Sequence, residues 1–264
     1  MTGLSGKISA ASAVLGIDAR KLVRTLKAMP AYFSDLKTLK RQSATAHTQF
    51  PFGKLFPCLE DRSAQLGVAT GHYFHQDLLV ARRICENAPD LHMDVGSRID
   101  GFVAHVASFR SIVVLDIRPL RSNIPNVKFI QTDLMSDPPD GLIDSCDSLS
   151  CLHALEHFGL GRYGDSVSYD GYLKGLTNLC LLLKKGGKLY LSVPIGPQRI
   201  EFNAHRVFSV DYLLQCLSGQ YNIDHFSFVD DKGDLHENVL LSPPGIQSNF
   251  GCYYGCGIVE MTKI

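Results

Sequence analysis

The residues of this chain whose types and spacing suit chemistry begin in Leu91 to Asp116. A short apolar run ends in Asp94-Val95-Gly96-Ser97, a helical apolar pattern follows, and Ile112 to Leu115 closes on Asp116. An acidic residue ending a strand about 20 residues after a glycine turn is the pattern of a nucleoside site. The turn lets a ligand approach the backbone, and the distal carboxylate accepts hydrogen bonds from ribose hydroxyls. The competing role for Asp116 is to cap its own loop.

Three more clusters carry reactive side chains. His153-Ala154-Leu155-Glu156-His157 matches HxxEH, in which one helical face offers two histidines to zinc. Ser145 to Leu152 reads as a strand, so these histidines straddle a strand-to-loop junction, and peptidase chemistry is disfavoured. Gly159 to Asp165 is a glycine-rich loop with Arg162, Tyr163 and Asp165, able to form a lip over a pocket. Arg162 there suits an anionic acceptor or a plain surface ion pair. Asn203, His205 and Arg206 follow the fifth strand, at the sheet edge where open α/β folds collect ligand contacts. His205 is the first candidate for a general base, since imidazole titrates near neutral pH, with a structural histidine as the alternative. His72, Tyr73 and His75 either close the pocket from the N-terminal side or cap their helix.

The elements that must position these groups read as follows. Asp18 to Met29 and Ala31 to Arg41 are helical and interrupted by Pro30, and Gln42 to Arg62 is a connection. Phe74, Leu78, Ala81 and Cys85 set a helix over His72 to Glu86. Strands fall at Leu91–Gly96, Ile112–Asp116, Val127–Gln131, Cys146–Leu152 and Lys188–Val193, the last stopped by Pro194. Helices fall at Ile99–Phe109, Tyr172–Leu183 (capped by Gly186-Gly187) and Val210–Leu217. Ile223–Val229 and Tyr253–Met261 are late strands with no helix between them. This order predicts an α/β fold with a Rossmann-like, seven-stranded, mostly parallel sheet, an antiparallel last strand and an N-terminal helical extension. The expected division is 1–90 and 91–264.

Bulk composition narrows the function. The 26 basic and 26 acidic residues of the 264 balance, so no footprint for nucleic acid is expected. Eight cysteines lie mostly in apolar stretches without a CxxC pair, which fits free thiols, a reducing compartment and a cytoplasmic protein. Cys252 and Cys256 lack a second ligand pair nearby, and no metal is expected. Ile8 to Ile17 is only mildly apolar, short of a secretory signal, and no run approaches a bilayer span.

Read with its motifs, this order resembles class I S-adenosylmethionine-dependent methyltransferases. The likeness rests on Asp94-Val95-Gly96, Leu115-Asp116, Thr132-Asp133-Leu134, Leu155-Glu156-His157-Phe158 and Leu183 to Leu189. Ser150 to Asp165, Phe202 to Val207 and Gly71 to Asp77 resemble the motifs of a little-characterised group of methyltransferase-like proteins. The resemblance implies S-adenosylmethionine as cofactor, with Asp94, Gly96 and Ser97 at its amino-acid end. It implies Asp116 and Ile117 at the ribose, Asp133 and Leu134 at the adenine, and His153 beside the sulfonium. Asp133 otherwise serves as a helix N-cap. Glu156, His157 and His205 are then the catalytic candidates. Tyr73, His75, Arg162, Tyr163, Asp165, Asn203 and Arg206 are the substrate-binding ones. One departure stands out: Gly96-Ser97-Arg98-Ile99-Asp100-Gly101 puts bulk where the family has small residues. Either Asp100-Gly101 makes the turn, or cofactor binding has degenerated. The expected activity is O-methylation of a small polar acceptor such as a sugar or glycan unit; the alternative is a non-catalytic protein that keeps the fold.

Overall fold

The computed structural model describes residues 19–45, 50–59, 61–64 and 66–264. The chain forms two compact units, Met1–Val68 and Ala69–Ile264. In the first, helix α1 (Ala19–Ser43) runs without a break through Pro30, where an interruption was expected. An internal proline deletes one backbone hydrogen bond and kinks a helix, which need not end it. The expected apolar segment Ile8 to Ile17, with Asp18, lies outside the described residues. No helix among the described residues is long and apolar enough to cross a membrane.

The second unit opens with α2 (His72–Asn87) and continues through β1 (His92–Val95), β2 (Ile112–Asp116), β3 (Val127–Gln131) and β4 (Cys146–Leu152). After these come α4 (Gly171–Leu182), β5 (Leu183–Ile195), β6 (Arg199–Glu201), β7 (His205–Val207), α5 (Val210–Leu217) and β8 (Tyr221–Val229). The chain ends with β9 (Leu235–His236), α6 (Pro243–Gln247) and β10 (Gly255–Lys263). Between β1 and β2 a single π-helical turn (Ile99–Val103) runs into the short α3 (Ala104–Ala107).

The main sheet runs β3-β2-β1-β4-β5-β10-β8-β9. Its first five strands are parallel, and β10 lies antiparallel between β5 and β8. The sheet thus has eight strands rather than seven, because the two-residue β9 pairs with the end of β8. Two local expectations also give way. A short helix, α6, does lie between β8 and β10. Strand β5 runs past Pro194, which sits opposite Cys256 of β10. The Pro194 carbonyl accepts from Phe208 N at 2.9 Å, so its missing N–H faces away from β10. That side lies beyond the end of β4, opposite Ser192, and the β10 ladder loses nothing there.

Apolar side chains fill both faces. Leu79, Val80, Ala81 and Ile84 of α2 join Phe102, Val103 and Val106 against one face of the sheet. Leu176, Leu179 and Leu182 of α4 and Val210, Leu213 and Leu217 of α5 belong to the core on the other. The strands emerge with their C-terminal ends together, and the site lies there.

Candidate cofactor and substrate site

In the order 3-2-1-4-5 the chain reverses direction between β1 and β4, and open α/β sheets bind ligands at that point. A cavity lies over these strand ends. Gly96 forms its floor with φ +74°, and a Cβ built there would stand 2.8 Å from the Ala154 Cβ. Both atoms belong to fixed backbone, so only glycine leaves this approach open. Beneath the turn, Asp94 is fully buried. It accepts from Ser97 N at 3.1 Å, Ser97 Oγ at 2.7 Å and Ser150 Oγ at 2.6 Å. Burial pushes its carboxyl up to about 6, against the pull of these donors. Asp94 therefore sets the loop and does not line the cavity.

Of the expected cofactor residues, Gly96, Asp116, Ile117, Asp133, Leu134 and His153 line this cavity. Arg98 and Ile99 do not; Arg98 turns outward to pair with Asp100 at 2.8 Å. The π-helical turn absorbs the bulk of the departing sequence, and the loop does bend at Asp100-Gly101, where Gly101 is non-helical. Asp116 is held by Arg118, which donates from Nη2 at 2.6 Å, Nε at 3.0 Å and its backbone N at 2.8 Å. Asp133 accepts from Met135 N at 2.9 Å, a local turn. Arg118 was not singled out by sequence reasoning, although it follows Asp116 by two residues and also stacks on Tyr163, 4.5 Å from the ring centre.

A second, more polar chamber adjoins the first. It shares Gly96, Arg118, His153 and Tyr163 and adds Tyr73, Gln76, Asp77, Ser97, Arg98 and Arg162. Gln76 and Asp77 are buried; the Gln76 amide accepts from Ser192 Oγ at 2.6 Å and donates to Asp77 at 3.0 Å. Burial raises the Asp77 carboxyl above its ordinary value.

The loop after β4 determines the rest. His153 is buried with φ +48°, and its Nδ1 donates to Glu156 Oε1 at 2.8 Å. Glu156 is buried under the cavity rather than in it, and its Oε2 has no partner. His157 reaches the first cavity. Its Nδ1 lies 2.7 Å from Ala204 O, which can only accept, so Nδ1 carries the proton and Nε2 the lone pair. Burial lowers its affinity for a second proton. Asp165 stitches the glycine loop by accepting from Gly159 N, Gly161 N and Tyr163 N at 2.9–3.1 Å.

Other expected site residues stand elsewhere. Arg206 is buried and donates to the carbonyls of Glu156, Phe158, Ser168 and Tyr169. Its guanidinium braces the loop and lines neither chamber. His205 pairs with Glu201 at 3.2 Å, its ring 6.5 Å from that of His157, outside both chambers. Asn203 is exposed with φ +61° in the turn of the β6–β7 hairpin, and His75 packs on Phe74. Spacing alone placed Asn203, His205 and Arg206 at the sheet edge without showing which way the hairpin faces.

A family model described as a Caenorhabditis protein of unknown function, DUF268, matches residues 128–242. No curated protein matches the sequence. Among solved structures, the chain is similar to the N-methyltransferase NodS from Bradyrhizobium japonicum in complex with S-adenosyl-L-homocysteine. That likeness has 10% identity and a TM-score of 0.48 and covers 73% of this chain and 88% of that one. It is also similar to 1,6-didemethyltoxoflavin-N1-methyltransferase from Burkholderia thailandensis with bound S-adenosylhomocysteine, at 14% identity and a TM-score of 0.49 over 71% and 78% of the two chains. The cyclase SpnF matches at 14% identity and a TM-score of 0.49 over 71% and 81%. By the order and direction of its own strands, the second unit of this chain has the Rossmann-like fold of the class I S-adenosylmethionine-dependent methyltransferases.

Proposed function

We propose that this protein is an S-adenosylmethionine-dependent methyltransferase that O-methylates a small polar acceptor, such as a sugar or glycan unit. The observation that carries the reading is the cavity at the β1–β4 switch point, with the Cβ-free turn at Gly96 on its floor and the Asp116 carboxylate in its wall. Two neighbours crystallised with S-adenosylhomocysteine agree with the choice of cofactor.

When bound, the cofactor supplies a methyl group already activated by positive sulfur. The work of the chain is to bind, align and exclude water. Gly96 admits the ligand to the backbone. Asp116 accepts from the ribose hydroxyls, and Asp133 receives the adenine amino group. The second chamber holds the acceptor among Tyr73, Asp77, Ser97, Arg98 and Arg162, polar groups matched to hydroxyls. His157, with its Nε2 lone pair, takes the hydroxyl proton, a task for which its position suits it better than that of His205. Balanced charge speaks for a small-molecule acceptor and against nucleic acid. Eight unpaired cysteines suit a reducing, cytoplasmic setting.

One observation favours a second reading, a non-catalytic protein that keeps the fold: Arg118 already occupies both oxygens of Asp116. Calorimetry separates the two. The enzyme binds S-adenosylmethionine and S-adenosylhomocysteine stoichiometrically and passes labelled methyl to a hydroxyl compound from a panel of sugars. Failure to bind either nucleoside defeats the enzyme reading; binding with transfer only to nitrogen or carbon acceptors defeats the choice of acceptor.

A further inference from the structure

His72, His153 and Cys256 are far apart in the chain and meet in the fold. One donor atom from each lies within 4.8 Å of the other two. His72 opens α2, His153 directly follows β4, and Cys256 is fully buried on β10. The Nε2 atom of His153 is buried and has no hydrogen-bond partner. With Nδ1 committed to Glu156, the buried Nε2 is a polar atom left without a partner in a dry interior, an arrangement that costs free energy unless a ligand meets it.

The surroundings have the form of a metal site's support. Metal-bound histidines hand their other nitrogen to a carboxylate or a backbone carbonyl. His153 gives its own to Glu156 at 2.8 Å, and His72 hydrogen-bonds the Tyr254 backbone. Donor atoms around a tetrahedral zinc stand about 3.5 Å apart, so a small inward adjustment closes the site. Glu156 adds a buried carboxylate whose Oε2 is unpartnered, and a dication balances it together with a Cys256 thiolate.

We propose that His72, His153 and Cys256 bind one zinc(II) ion, with Glu156 orienting His153 from behind. Two imidazoles and a thiolate are the donor set zinc favours over magnesium or calcium. Three protein ligands leave one position for water or a substrate oxygen, as in catalytic rather than structural zinc sites. His153 belongs to the wall of both chambers, whereas His72 and Cys256 line neither and the His153 Nε2 is buried, so the ion would sit behind that wall. The metal site does not rest on the methyl-transfer reading. The HxxEH pattern pointed at the wrong pair, since His157 donates to Ala204 and only His153 joins the cluster.

Cobalt(II) added to the chelator-stripped full chain, without nucleoside, tests the site. The expected result is one equivalent bound, with a thiolate-to-cobalt charge-transfer band and the intense visible bands of four-coordinate cobalt. Cys256→Ser abolishes the charge-transfer band, whereas Cys252→Ser keeps it. His72→Ala, a change at a half-buried helix start, and Glu156→Gln each weaken binding by about tenfold or more. Circular dichroism confirms that each variant is folded. Absence of stoichiometric cobalt and zinc binding overturns the proposal, as does a charge-transfer band that survives Cys256→Ser. Binding unchanged by His72→Ala also overturns it. Because the readout needs no adenosyl ligand, its failure is distinct from failure of the methyltransferase reading.

Discussion

Two carboxylates separated by one strand pairing have opposite tasks. Asp116 stands at the rim of the cavity and is held by Arg118; Asp94 is sealed beneath the glycine turn. Replacing Asp116 with Ala removes hydrogen bonds from a charged acceptor to the ribose, each contributing about 1.5–3 kcal/mol. S-adenosylhomocysteine should then bind about tenfold to a hundredfold more weakly by calorimetry, with thermal stability little changed. Asp94 predicts a pH effect instead. Its carboxyl is raised from the ordinary 3.8 to about 6, so the folded state holds this proton more tightly than the unfolded chain. The resulting stabilisation is fully present below pH 4 and is lost as pH rises through 6, a change of at most about 3 kcal/mol. Chemical denaturation of the native protein and of Asp94→Asn across this range should show the native slope and its loss in the variant. The place of Asp116 at the cavity wall was legible because a carboxylate that ends a strand after a glycine turn lies at the C-terminal edge of the sheet; the bond it accepts from Arg118 N is the loop cap that the sequence also allowed. The burial of Asp94, and with it the division of labour, depends on Ser150, a residue 56 positions away.

At the scale of elements, two short segments make the site: the turn after β1 and the loop after β4. They touch at Gly96 and Ala154. Gly96→Ala imposes both φ strain, of about 1–3 kcal/mol, and a contact with Ala154 that neither backbone can relieve. Nucleoside binding should fall to background. A second change, Ala154→Gly, should restore part of it by removing the contact while the strain remains, as calorimetry on the single and double variants would show. The loop after β4 depends on Arg206, which ties four carbonyls across residues 156–169. Arg206→Ala strands these acceptors and should destabilise the protein by about 2–4 kcal/mol in denaturant titration. Arg206→Lys should rescue little, because an ammonium cannot fork across several acceptors. Periodicity located α2, β1 to β4 and α5 because burial on one or both sides of each writes itself into local sequence. It failed where pairing decides. The register of β5 shifts between Cys146/Leu183 and Ser148/Lys188, so Lys184 to Gly187 loop out inside the strand instead of merely capping the helix before it. The inward face of His153 is set by the left-handed turn directly after β4, and the place of His205 outside both chambers by the β6–β7 hairpin, neither of which a local pattern encodes.

For the molecule as a whole, the question is where an independently stable body begins. The sequence suggests 91, since the strand pattern starts there. The contacts suggest 69, because α2 belongs to the second unit. The deciding quantity is the apolar surface that α2 covers. Leu79, Val80 and Ile84 are all buried, at 6%, 1% and 0% exposure, against Phe102, Val103 and Val106 and one face of the sheet. Each such side chain contributes about 1.5–3 kcal/mol on burial. Together they reach about 5–9 kcal/mol, comparable with the whole stability of an ordinary domain. The helix also brings Gln76 to Ser192 and His72 to His153, so it carries part of the site as well as part of the core. We therefore propose 69–264 as the folding unit. Expressed alone, it should unfold in one cooperative transition and bind S-adenosylhomocysteine as the full chain does. Residues 91–264 should instead expose the uncovered face, bind a hydrophobic dye and aggregate. A well-folded, nucleoside-binding 91–264 would show that α2 is dispensable to the core and would move the boundary back to the start of β1.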